Sequence, residues 1–246
     1  MKDILVMEGS AKMHPVDPGQ KIEKKFWMST TPITQRQWAI VSALFPGDMH
    51  ENPSVHTNNK NSKVVELPDG KELEMQPENP VEYVTAVKDK EDRDYYSSAY
   101  NFIEKLNILS QRNDPAIYQL ISGHQKGMIY DLPSEAQYEH VATNYGTNKG
   151  PTAARVFAYA HIKSNYGTGT MPVASLKAFD VAGGQFYDLL GNVGTLTSTA
   201  TPKGNEVIVK GGSYGSDNKI TFSSRSRVEP SSASEQVGFR IVGTLP

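Results

Sequence analysis

With 246 residues, 37% hydrophobic and 21% charged, the chain has material for one sizeable globular domain that buries its own core, and the expectation is a single domain over residues 1–246. The 25 Lys and Arg nearly balance 27 Asp and Glu, which leaves a net charge of -2 and no basic run dense enough for nucleic acid or an anionic membrane. A cysteine count of 0 removes disulfides, thiolate metal ligands and thiol nucleophiles together.

The opening MKDILVMEGSAKMHPVDPGQ has no basic segment leading into an apolar one, and no stretch of about 18 apolar residues occurs anywhere. A soluble, cytoplasmic protein is expected. Strand-like pieces begin the chain at residues 4–7 and 25–29. A helix is predicted over 34–44, where Thr34 and Gln37 form a capping box and Trp38, Val41 and Leu44 share a face.

Residues 49–76 are polar and read as an insertion with a hairpin around Pro68-Asp69-Gly70. Its histidines, His50 and His56, have no metal-ligand spacing and read as solvated loop residues. A half-buried helix is predicted over 97–109, because Ala99, Phe102, Ile103, Leu106 and Leu109 recur at helical spacing. A third helix starts after Pro133 with a second capping box, Ser134 and Gln137, and turns Tyr138, Val141 and Ala142 inward. Short strands at 206–210 and 238–242 complete the pattern.

Several segments in this order resemble one family. FWMSTTPITQRQW resembles a strand entering a Val-Thr-x-x-Gln helix, and NPVEYVT a Pro-Val-x-x-Val-Ser segment. YDLPSEAQYEHVA resembles Arg-Leu-Pro-Thr-Glu-Ala-Glu-Trp-Glu-Tyr-Ala, matching at Leu132, Pro133, Glu135, Ala136 and Glu139. FYDLLGNVGTLT resembles Leu-Tyr-Asp-Met-x-Gly-Asn-Val-Trp-Glu-Trp-Thr, and KGGSY through VGFRIV resembles a closing Arg-Gly-Gly-Ser-Trp to Gly-Phe-Arg-Val. The family is that of the sulfatase-modifying factors, or formylglycine-generating enzymes. The resemblance implies an α+β domain, a variant of the C-type lectin fold, irregular, with few helices and short twisted sheets.

It also marks departures. Where the oxidising enzymes carry their two catalytic cysteines, this chain has Ser216 and Thr221. A hydroxyl is a hard oxygen that keeps its proton near neutral pH, so copper is not expected and formylglycine formation is not either. Gly194, Thr195 and Leu196 replace the Trp-Glu-Trp, which removes a carboxylate resembling a structural calcium ligand and leaves Asn192 in a weakened calcium site. No cofactor is expected.

The remaining candidates each have a plain reading beside the functional one. Glu135 and Glu139 share a helix face, as acid/base pair or as ordinary complements of the helix dipole. Arg225, Arg227 and Arg240 form either a basic groove or, for at least one, a buried salt bridge. Gly191, Gly211 and Gly212 read as tight turns, and Trp27, Trp38 and Tyr187 as core. The polar stretch 215–224 occupies the place of the family's substrate groove.

The expected function is therefore a non-catalytic module, a pseudoenzyme that recognises a protein, peptide or small polar ligand through Tyr214, Ser216, Asp217, Thr221, Arg225 and Arg227. An enzyme with non-thiol chemistry at the same groove, and a variable ligand-binding protein of the diversity-generating kind, are the alternatives.

Overall fold

The computed structural model describes residues 11–16, 25–57, 62–143, 150–166 and 168–246. The strand expected at 4–7 lies outside them. Chain order is β1 (Ala11–Val16), β2 (Phe26–Ser29), α1 (Gln35–Leu44), β3 (Lys63–Glu66), β4 (Glu72–Met75), α2 (Ala99–Gln111), α3 (Pro115–Leu120), β5 (Ile121–Ser122), β6 (Ile129–Asp131), α4 (Glu135–Ala142) and α5 (Lys163–Tyr166). The remainder is strand: β7 (Phe179–Val181), β8 (Gly184–Phe186), β9 (Gly194–Ala200), β10 (Val207–Lys210), β11 (Arg225–Val228), β12 (Val237–Phe239) and β13 (Val242–Thr244).

The helices start where the sequence places them because their signals are local. Both capping boxes form, Thr34 with Gln37 and Ser134 with Gln137, so the orphan amides of each first turn are satisfied by side chains three residues away. Helix α2 begins two residues later than the spacing predicts, since Ser97 ends a 3-10 turn and Ser98 is the cap. The five expected apolar residues of α2 are all buried. Helix α3 was not anticipated, although Asp114 caps it and Pro115 opens it in the usual way.

The strands assemble into a five-stranded sheet, β5-β1-β2-β13-β6, and a four-stranded sheet, β11-β10-β9-β12, with hairpins β3-β4 and β7-β8 beside them. The hairpin expected in the insertion is present, pairing Lys63 with Met75 and Glu66 with Glu72 around the predicted turn. The strand expected at 238–242 is instead two: β12 runs parallel to β9, and β13 runs antiparallel to β2 in the other sheet. Arg240 forces that break. Its side chain is fully buried and donates to the carbonyls of Ser29 and Tyr187, so the chain passes between the sheets here.

One apolar cluster centres on Trp38, Phe102 and Phe239, whose rings stack or meet edge-on at 5.4 to 6.2 Å. A second lies under α4 and includes Tyr138, Phe186, Leu190 and Phe222. Trp27 and Trp38 are core as expected, whereas Tyr187 is only half-buried. Among the described residues no helix is long and apolar enough to cross a membrane.

The Thr34 cap gives a direct check on this account. Thr34→Ala should lower stability by about 1 kcal/mol. For a chain of this size that corresponds to a fall of roughly 2–4 °C in the melting midpoint, read by circular dichroism.

Candidate functional site

Backbone proximity positions the site. Gly191 lies against residue 161: a side-chain carbon there would stand 2.3 Å from the His161 carbonyl oxygen, and one at Gly211 would stand 2.6 Å from the Leu189 carbonyl. Both glycines, with Gly212, hold φ values of 77°, 84° and 64°, which only glycine adopts freely. The tight-turn reading of these three holds. Hydrogen bonds from Gly191 N to Gly211 O (2.9 Å), Asn192 N to His161 O (2.8 Å) and Tyr214 N to Asn192 O (2.9 Å) then lock the loops together.

From this junction the chain builds a half-open groove of about 420 Å³ against β10 and β11. Val209, Ile220 and Val237 supply apolar floor. Ser213, Ser216, Ser224, Ser226 and Ser234 supply hydroxyls, and Arg225 and Arg227 stand on the β11 side. Ser213 Oγ donates to Gln236 Oε1 at 2.7 Å, closing one wall.

The six residues expected at the site divide. Ser216, Arg225 and Arg227 line the groove. Asp217 and Thr221 do not: Asp217 accepts from the Lys219 amide at 2.8 Å, and the Thr221 hydroxyl lies 3.3 Å from Ser224 Oγ, both within their own turn. Short polar side chains in a tight loop satisfy nearby backbone first. Tyr214 is also absent from the lining. It is 5% exposed and turns behind the groove wall, where its hydroxyl meets His56 Nε2 at 3.2 Å.

The arginines separate as well. Arg225 Nε pairs with Glu135 Oε1 at 3.1 Å, and the same oxygen lies 3.6 Å from Lys210 Nζ. Lys210 is fully buried and makes its shortest contact, 2.7 Å, with Glu139. The buried salt bridge thus exists but is built on Lys210, and Glu135 and Glu139 are its anions. Arg240 makes no ion pair among the described residues; burial pushes its guanidinium down to about 10, with Tyr138 and Asp188 opposing that shift.

Sequence reasoning missed a polar cluster behind the same wall. Glu82 is fully buried, accepts from His56 N at 2.9 Å through Oε1, and is pushed up to about 7 by burial, with Glu235 adding to the effect. His56 Nε2 lies 3.6 Å from Glu235 Oε2. His56 is therefore not a solvated loop histidine. The one signal available was a carboxylate between Val81 and Val84 in an otherwise apolar segment.

At the positions where the resemblance implies metal ligands, the side chains are already engaged within the chain. Ser216 Oγ accepts the Ser213 amide at 3.0 Å and Thr221 faces Ser224, so two engaged hydroxyls replace the soft sulfurs that monovalent copper requires. Thr195 is 1% exposed inside the sheet, and Asn192 Oδ1 accepts the Met171 amide at 3.2 Å, which does not fit a calcium ligand set.

The chain is a mixed helix and sheet protein with few helices and short sheets. It belongs to the sulfatase-modifying-factor family: the sulfatase-modifying factor enzyme 1-like domain model matches residues 1–245. Similar solved structures are Treponema denticola variable protein 1 (20% identity, TM-score 0.61, covering 95% of this chain and 92% of that one) and CarF (18%, 0.59, 96% and 97%). PvdO from Pseudomonas aeruginosa is similar as well (15% identity, TM-score 0.61, 96% and 92%). No curated protein matches by sequence.

The Lys210 cluster makes a measurable claim. Lys210→Ala deletes the cation between two carboxylates and should cost about 3 kcal/mol in urea unfolding. Lys210→Met keeps the buried stem but leaves the same two carboxylates without their cation, so it should recover only the packing part and still cost about 2 kcal/mol.

Proposed function

We propose that this chain is a non-catalytic binding module, a cysteine-free relative of the formylglycine-generating enzymes whose groove recognises an acidic, carboxylate-bearing peptide. The observation that carries this reading is the groove itself: an aliphatic floor, a ring of serine hydroxyls, and Arg227, exposed and in no ion pair among the described residues. Arg225 is neutralised by Glu135, so the net charge facing a ligand comes from Arg227. A guanidinium receives a carboxylate through two parallel hydrogen bonds, and serines pair with peptide backbone in either sense. Val209 and Ile220 would take an aliphatic stem.

The chemistry of the wall supports binding over turnover. Ser213 and Ser216 are engaged with Gln236 and with backbone, and neither has a base beside it among the described residues. Read as a lectin-like scaffold in one domain, the fold holds shape in its core and recognition in its loops.

An array of acidic hexapeptides beside uncharged ones tests this. The protein should retain acidic peptides, Arg227→Ala should weaken them about ten- to a hundredfold, and Ser226→Trp should abolish retention by filling the groove. Equal retention of charged and uncharged peptides, or full retention by Arg227→Ala with an unchanged circular dichroism spectrum, would overturn the reading.

A further inference from the structure

The polar cluster behind the groove wall joins the insertion to the C-terminal loops. Residues 80–85 run between the two: Val81 N donates to Ile33 O (2.8 Å), while Tyr83 N donates to Ser234 O (3.0 Å). Tyr83 adopts φ 62°, a left-handed conformation that a tyrosine keeps only when its surroundings fix it. Between these anchors Glu82 turns inward. Its Oε1 accepts the amide of His56, its own amide donates to Ser54 Oγ at 3.2 Å, and its Oε2 is buried without a hydrogen-bond partner.

His56 carries the connection onward. Its ring meets Tyr214 edge-on at 5.5 Å and reaches Glu235 as well as the tyrosine hydroxyl. Tyr214 follows Ser213 in the chain, and Glu235 stands between Ser234 and Gln236, three residues that line the groove. Every hydrogen bond that residues 54–57 make to this cluster therefore bears on the groove wall.

The charged and titratable groups around the cluster are few. Glu82 and Glu235 are the acids, and His56 is the adjoining base. Burial and Glu235 hold the Tyr214 phenol well above its usual range, so it stays neutral. On its far side lies His161, pushed down by burial, with Nε2 2.8 Å from Gly169 O; Asp188 acts on His161 from beyond. No lysine or arginine pairs with Glu82 or Glu235 among the described residues.

We propose that residues 54–57, Glu82, Tyr214 and Glu235 form a proton-linked clasp on the groove wall, closed when Glu82 is neutral and loosened when it is ionised beside Glu235. This rests on the binding reading only insofar as the groove it regulates takes a ligand. The sign follows from linkage. Glu82 is raised to about 7 when buried and returns toward its ordinary value when the clasp opens, so the closed state holds the extra proton. Closure is fully favoured below the ordinary carboxylate range and is lost as pH rises through about 7.

Hydrogen exchange of the ligand-free protein at pH 6 and pH 8, corrected for intrinsic rates, reads the clasp directly. Residues 52–57 and 230–237 should exchange about tenfold faster at pH 8, while α2 is unchanged. Glu82→Gln should remove that difference. Because a buried substitution can disturb folding, Glu235→Gln, at an exposed position, is the second variant and should reduce the difference. Equal protection at both pH values, or an undiminished difference in both variants, would overturn the clasp. If the pH difference stands while acidic peptides fail to bind, the clasp survives and the binding reading falls. If peptides bind but protection and affinity are both independent of pH, the reverse holds.

Discussion

Close approach of backbone at Gly191 and Gly211 is the constraint on which the site depends. No side chain fits at either position without displacing a carbonyl oxygen, so loops 188–194 and 210–214 are held in one relative placement. Asp188 and Asn192 share the strain, with φ 51° and 56°. Each is kept there by its own side chain: Asp188 accepts the Ala174 amide at 2.9 Å, and Asn192 brackets Met171. At this crossing Lys210 pairs with Glu139 and Tyr214 meets His56, and Gly212 and Ser213 between them in sequence line the groove.

The buried charges show three different solutions to desolvation. Lys210 is compensated by two carboxylates from one helix face. Arg240 is compensated by carbonyls, and at about 10 it remains protonated at neutral pH. Glu82 is compensated on one oxygen only, and a carboxylate with its second oxygen bare in a buried site relieves the cost by taking up a proton. Of the three, Glu82 alone is poised where a change near neutral pH alters its charge. It also bonds the insertion at Ser54 and His56, while its neighbour Tyr83 bonds the C-terminal loop at Ser234.

What the sequence reveals follows from range. Capping boxes and helical faces depend on residues three or four apart, so Thr34 with Gln37, Ser134 with Gln137 and the face of α2 were legible. Within the C-terminal motif it was the family resemblance that singled out Ser216, Arg225 and Arg227, which all line one groove. Tyr214 could not be placed this way, because its orientation is settled by His56, 158 residues away in a segment that shows no motif. The division of the last strand was equally hidden. An arginine between Phe239 and Ile241 reads as an interruption in a strand, and only the carbonyls of Ser29 and Tyr187 explain why it is enclosed.

The replacement of the family's Trp-Glu-Trp by Gly194, Thr195 and Leu196 ties these observations together. Strand β9 now buries Thr195 and Leu196 at 1% exposure each, between β10 and β12. At Gly194 the vacated space is taken by Val209, whose Cγ1 lies 2.6 Å from where a side-chain carbon would begin. Here the strand is ordinary core, and Val209 supplies part of the groove's aliphatic floor. The polar groups left at the surface of the groove are those of β11 and the serine-bearing loops, which are anchored to the scaffold through Glu135 on one side and through the His56 contacts on the other. The groups that line the groove are therefore hydroxyls and guanidinium groups above an aliphatic floor, a set whose chemistry is hydrogen bonding and charge pairing.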